Sequence, residues 1–234
     1  MSSFLAEDTA REEICRVGRA LFERGYVHAT AGNISVRLAD GYLITPTDAC
    51  LGSLDPARLA RLDAQGRQVA GDRGSKTITL HRRIYAATEA AGTPARCVLH
   101  THSTHLVATS LLQCGAANGP LNEAAELLPP ITPYFVMKVG RVPHIAYHRP
   151  GAPEAAEAVA AAIARHAAAG RTLRTVMLAR LGPNVWHDSP AAAMATLEEL
   201  EETARLWLLT RTSALAPLDA SALDALQQGF GTRW

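Results

Sequence analysis

The chain has 234 residues, 48% hydrophobic and 19% charged, with a formal net charge of +1. That length supports one sizeable core, and that balance belongs to a globular chain rather than a disordered one. A net charge near zero with no basic run argues against nucleic acid as a partner, and no stretch approaches the roughly 20 apolar residues of a membrane span.

Met1 to Arg11 lacks the basic-then-apolar order of a secretory leader, so the cytoplasm is the expected location. Cys15, Cys50, Cys97 and Cys114 are widely scattered and are read as reduced thiols. Along the chain, residues 8–25 form a predicted helix with Ile14, Val17, Leu21 and Phe22 on one face and Gly25 as its stop. Ala31 to Arg37 reads as a loop feeding a strand, Asp40-Gly41 as a hairpin turn, and Tyr42 to Thr45 as the return strand. A second hairpin is expected over 59–70, around Ala64-Gln65-Gly66.

A helix from Thr77 to Ala91 then leads into an apolar strand ending in His100-Thr101-His102. A short helix after Thr104 is expected to bury Leu106, Val107 and Leu111. Residues 114–130 read as irregular, and two Pro-rich segments, 128–133 and 142–150, bracket another short element. An alanine-rich helix over 153–169 precedes strands at Thr175–Ala179 and Asn184–His187. Pro190 opens a long helix to about Leu209, striped with Met194, Leu197, Ala204, Trp207 and Leu208. A last helix covers 219–228. The fold class is therefore a three-layer α/β/α domain with a mixed, largely antiparallel sheet, over 1–212, with 213–234 as a helical tail.

His100 and His102, at i and i+2 on a strand, share one face. Two neutral imidazoles there begin a divalent metal site, with zinc as the default ion, or are simply hydrogen-bonded histidines at a strand end. Gly32-Asn33 fits a turn with positive φ, Ser75 a helix N-cap, and Thr47 the start of a turn with Asp48. His81 reads as a packing or capping histidine, His105 as a residue of the following helix, and His28 as a loop histidine. His144, His148 and Arg149 carry no assigned chemistry.

Taken in order, four segments carry a resemblance. They are Ala31-Gly32-Asn33-Ile34-Ser35, Ile44-Thr45-Pro46-Thr47, Gly74-Ser75-Lys76 before the helix with His81, and His100-Thr101-His102-Ser103-Thr104. Over roughly residues 10–210 the chain resembles the class II aldolase/adducin family. Further segments, among them Cys50-Leu51-Gly52 and Pro133 to Pro143, are most similar to its 3-oxo-tetronate 4-phosphate decarboxylase branch. The resemblance implies a carbon–carbon lyase acting on a phosphorylated sugar acid, with a divalent metal stabilising an enediolate. It maps two of three metal histidines onto His100 and His102. The substrate phosphate falls to Thr30, Gly32, Asn33, Thr47 and Ser75, with Lys76 beside them. It also implies a homotetramer whose sites lie between subunits; Tyr134 is then a proton donor near that boundary, or else a core tyrosine.

Two positions depart from the pattern. Thr77 stands where an acid is expected, and a hydroxyl cannot act as a base near neutral pH. Leu181, in Arg180-Leu181-Gly182-Pro183, stands where the third histidine is expected. Three readings follow: a degenerate member that keeps an anion pocket, a diverged enzyme, or an adducin-like interaction module. The diverged enzyme would recruit His105, His187 or water as third ligand, and His28 or Tyr134 for proton transfer.

Overall fold

The computed structural model describes residues 4–116, 125–213 and 215–234. Helix α1 (Glu7–Glu23) precedes the hairpin of β1 (Asn33–Leu38) and β2 (Gly41–Ile44), and two short 3-10 turns lead to the hairpin of β3 (Ala60–Asp63) and β4 (Gln68–Ala70). Next come α2 (Ile78–Ala90), β5 (Cys97–His100), α3 (Thr104–Ala116), α4 (Pro133–Lys138) and β6 (His144–Ile145). The chain finishes with α5 (Pro153–Ala168), β7 (Thr175–Leu178), β8 (Gly182–His187), α6 (Pro190–Thr210) and α7 (Ala220–Phe230).

The strands form one sheet in the order β4-β3-β2-β1-β5-β8-β7-β6, antiparallel throughout except for β6 beside β7. Alternation along each strand sends side chains to two cores. Ile34, Val36, Leu99 and Val185 meet α1, α3 and α6 on one side, through Ile14, Leu21, Leu106 and Leu197. Val98, Val176 and Trp186 meet α2 and α5 on the other, through Ile84, Tyr85, Val159 and Ile163. This is the expected mixed sheet between two helical layers.

Four details differ from the sequence reading. Phe22 is 43% exposed, because α1 ends one residue later and the ring lies over Gly52 instead of entering the core. Leu111 is exposed, since α3 buries Leu106 and turns Leu111 and Leu112 outward. Helix α3 also extends to Ala116, inside the segment expected to be irregular, most of whose middle lies outside the described residues. Strand β6 falls within the Pro-rich 142–150 segment, where only two residues pair.

The last turn of packing that matters for the site is a buried carboxylate. Glu201 on α6 accepts hydrogen bonds from the backbone N–H of His105 (2.9 Å) and Leu106 (3.2 Å), and from His105 Nδ1 (2.8 Å). It thereby caps the first turn of α3, where the helix dipole favours negative charge, and fixes the 101–103 connection leaving β5. In the tail, α7 has no buried residue, while Trp234 packs edge-on against Phe135 at 5.6 Å. Among the described residues no helix is long and apolar enough to cross a membrane.

Candidate functional site

The register of the sheet decides where the loops converge. Asn33 at the start of β1 lies opposite His100 at the end of β5, and His100 lies opposite Asn184 near the start of β8. Leu178 closes β7 opposite Gly182, and Ile145 closes β6 beside Leu178. The connections at 30–32, 45–48, 101–103, 146–152 and 179–181 therefore share one end of the sheet. With the N-terminus of α2 they enclose a cleft of about 790 Å³.

Thr30, Gly32, Asn33, Thr47, Ser75, Lys76 and Thr77 all line this cleft, as do His100, His102 and Leu181. Gly32 has φ +86°, and a Cβ there would stand 2.8 Å from Val27 Cγ1 and 2.9 Å from the His100 carbonyl oxygen. Only glycine lets the loop lie so close to the strand that carries the histidines. Gly182 plays the same part opposite, where a side chain would run into the Thr101 carbonyl. The Gly74-Ser75 segment is pinned to the exit of β2, with Ser75 N–H donating to the Thr45 carbonyl and Thr47 N–H to that of Arg73.

Thr77 Oγ1 accepts from Asn33 Nδ2 (3.3 Å) and from Ser75 Oγ (3.2 Å), which leaves its own proton to donate. Asn33 Oδ1 is buried without a partner. Thr77 is thus a polar lining residue with no capacity to serve as a base in this role. Nearby, His81 is fully buried and bonded through Nδ1 to Ser35 Oγ at 2.8 Å, with Tyr85 on the same hydroxyl, so it is the packing histidine expected.

His100 lies 2.9 Å through Nδ1 from the Pro183 carbonyl, which can only accept; Nε2 therefore carries the free lone pair. Its ring centroid is 5.1 Å from that of His102, and His28 follows at 6.3 Å from His102. Burial, reinforced by His102, pushes His100 down to about 4. Burial and His28 lower His102 as well. Both are neutral imidazoles near pH 7, the form a metal requires.

The donor set stops there. Leu181 packs against the core cluster containing Trp186, and no group of three His, Cys, Asp or Glu among the described residues is arranged to hold a metal ion. His105 is committed to Glu201. His187 pairs with Asp188 at the far end of β8, opposite Cys97. Neither supplies the third ligand. These residues do not fit a three-histidine metal centre.

Tyr134, expected to donate a proton, is not brought to this cleft. It is 62% exposed in the first turn of α4 and lines a separate cleft of about 980 Å³ with α6 and the chain's C-terminal residues. Conversely, Asp48, Arg73, His148 and Arg149 line the main cleft although the sequence assigned them no role. The signal for Arg149 was its place in Arg149-Pro150-Gly151, a turn just ahead of α5. Three non-glycine residues with left-handed backbone, Ala29 (φ +47°), Asp48 (+57°) and Arg180 (+67°), all sit in these converging connections.

Residues 12–208 match the family model described as "Class II Aldolase and Adducin N-terminal domain". The chain belongs to the class II aldolase family. A 3-oxo-tetronate 4-phosphate decarboxylase of Cupriavidus necator is 50% identical over 232 residues, 97% of this chain and 99% of that protein. One of Escherichia coli K12 is 37% identical, covering 97% and 100%. The crystal structure of YgbL from Klebsiella pneumoniae superposes with a TM-score of 0.79 at 37% identity, covering 95% of this chain and 99% of that one. Class II aldolases are generally dependent on a divalent metal. In this class II aldolase the strand that would present two metal histidines is present, while Leu181 and Thr77 occupy the two positions flagged by the sequence.

Proposed function

We propose that this class II aldolase binds a phosphorylated sugar acid in the cleft at the end of β1, β5 and β8, and acts on it as a carbon–carbon lyase of the decarboxylating kind. The reading is supported most by one observation: the Gly32-Asn33 loop, Thr47, Ser75-Lys76 and the two strand histidines converge on a single cleft. Relatives of up to 50% identity named as 3-oxo-tetronate 4-phosphate decarboxylases point to the same chemistry.

Thr77 helps choose between the lyase reactions. Aldol cleavage begins with removal of a hydroxyl proton, which needs a base that Thr77 cannot be. Loss of CO₂ from a 3-oxo acid needs none. The bond between the carboxylate and the neighbouring carbon breaks, its electron pair passes toward the 3-oxo oxygen, and an enediolate remains. Lys76, lining the cleft, supplies positive charge toward that oxygen. His100 Nε2, with its lone pair toward the cleft, accepts a hydrogen bond from a substrate hydroxyl. Solvent then returns a proton to the carbon that lost CO₂.

These steps call on no divalent metal, zinc by resemblance, since the donor set among the described residues ends at two imidazoles. Assembly as a homotetramer and a cytoplasmic location are carried as part of the proposal, with Tyr134 exposed and available to a neighbouring copy. A second reading, binding without turnover in the manner of an interaction module, is favoured by Leu181 and Thr77 together. The test is release of CO₂ from 3-oxo-tetronate 4-phosphate, run beside calorimetry with a stable sugar-acid phosphate. Turnover supports the lyase, binding alone the second reading, and neither one overturns both.

A further inference from the structure

The cleft carries more positive charge than its own residues balance. Arg73, Lys76 and Arg149 line it, and Asp48 is the only carboxylate among its described lining residues. Many arginines are committed: Arg11, Arg37, Arg61 and Arg83, for example, are held by Glu or Asp at 2.6–2.9 Å. Among the described residues, the side chains of Arg73, Lys76 and Arg149 have no such partner. Unpaired cations gathered around a concave site raise the local concentration of anions.

These charges stand at two places. Arg73 and Lys76 flank Gly74-Ser75 beside the start of β1 and the exit of β2, next to the amide and hydroxyl donors. Arg149 lies four residues beyond the end of β6, a strand three positions from β5 and so roughly 14 Å from it across the sheet. Between them, Leu178 and Leu181 contribute apolar lining.

We infer that this chain holds a ligand bearing phosphate at one end and carboxylate at the other between these two cationic poles, with Arg149 taking the carboxylate, and that it does so without a metal ion. The inference rests on the reading of the cleft as a sugar-acid phosphate site. A guanidinium presents two parallel N–H donors that match a carboxylate. Arginine on the carboxylate stabilises the bound acid more than the state in which CO₂ departs. Its loss therefore raises KM without lowering kcat.

The test is calorimetric titration with 4-phosphoerythronate, with erythritol 4-phosphate, which lacks the carboxylate, and with erythronate, which lacks the phosphate. Each is run in EDTA and again with zinc. The natural chain is expected to bind the acid phosphate with the same Kd in both, and to carry well under one equivalent of metal when purified without chelator. Arg149→Gln is expected to weaken 4-phosphoerythronate roughly tenfold, the scale of one charge-assisted pair, while erythritol 4-phosphate is unaffected. Arg149→Lys should recover part of the loss. The double variant Thr77→Glu, Leu181→His should bind stoichiometric zinc; ligand-free thermal melts check that each variant is folded.

Binding abolished by EDTA, or tightened tenfold by zinc, overturns metal independence. An Arg149→Gln effect that is equal on both phosphates, or absent, overturns the carboxylate clamp. If the natural chain binds none of the three compounds, the underlying reading of the cleft fails along with the inference.

Discussion

Lowering the pH from about 7.5 to about 5.5 is expected to remove about 4 kcal/mol of folding stability, through three histidines that lie away from the cleft lining. Burial is the main cause in each: it pushes His81 down to about 3 and His144 to about 4, and it pushes His166 to about 4 with help from Arg165, Arg171 and Arg141. The geometry agrees. Gln113 Oε1 can only accept, so His144 Nδ1 carries the proton and, in the neutral ring, Nε2 accepts from Ser110 Oγ, which itself accepts the Arg180 N–H. In the unfolded chain each imidazole titrates near 6.5. Between that value and the folded one, the unfolded state binds more protons. The stability is fully present above 6.5 and is lost as pH falls through it, by about 1.4 kcal/mol per unit for each histidine. One unit below 6.5 the three together lose about 4 kcal/mol, a large part of the 5–15 kcal/mol typical of a domain. Urea unfolding followed by circular dichroism at the two pH values, at matched ionic strength, measures it. The midpoint should fall by more than about 1 M for a slope of 2–3 kcal/mol/M. His166→Gln should flatten the pH dependence by about a third. A midpoint that does not move would show that these imidazoles already take up protons in the folded chain, and the argument from burial would be wrong.

Gly32→Ala should cost about 3 kcal/mol or more, since it adds left-handed strain to contacts with Val27 and the His100 carbonyl; a thermal melt within a degree of the natural chain would refute the close approach. Glu201→Ala leaves the His105 and Leu106 amides buried without an acceptor and should cost about 4 kcal/mol, with Glu201→Gln losing about half of that. Hydrogen exchange in the first turn of α3 should accelerate in both variants, and unchanged protection there would count against the cap. Arg180→Gly relieves a left-handed backbone at a non-glycine position and should stabilise by about 1 kcal/mol, raising Tm by roughly 2–4 °C.

Much of this molecule could be read from its sequence because local signals and tertiary demands agree. Asp40-Gly41 turns β1 into β2 as expected, and the apolar run before His100 is a strand buried on both faces. Where reading failed, two residues had no local means of being placed. Phe22 and Leu111 sit at helical spacings suited to a core, but the neighbouring elements that would cover them do not reach that far. Strand β6 is two residues long and exists only because β7 is beside it. The site divides the same way. His100 and His102 were visible because a strand fixes their common face, whereas Arg149 acquires meaning only when β6 is placed at the edge of the same sheet. Glu201 did leave a trace, as a charge set between Leu197, Leu200 and Ala204 on the apolar stripe of α6. Its partners lie 95 and 96 residues away in sequence, so the trace could not be interpreted alone.

Leu181 and Thr77 bear on different parts of the chemistry the cleft can do. Leu181 packs with the Trp186 cluster, an apolar side chain that cannot hold a metal ion. Thr77 joins Asn33 and Ser75 in a bonded group and offers a hydroxyl donor and no base. Leu181 touches none of the amide and hydroxyl donors at the start of β1 and the exit of β2, and Thr77 holds two of them, Asn33 and Ser75, in place. Phosphate recognition should therefore survive with both residues present. A reaction starting with proton abstraction lacks a base at Thr77 and would have to use another group. Among carbon–carbon lyase reactions on sugar-acid phosphates, decarboxylation of a 3-oxo acid is the one whose first step needs charge and position but no base. If the chain were found to catalyse aldol cleavage at a rate comparable to decarboxylation, a base outside Thr77 would have to exist. Asp48 is the only carboxylate lining the cleft among the described residues, and His100 and His102 line it as neutral imidazoles, so Asp48→Asn, His100→Gln and His102→Gln would then be the variants that locate it.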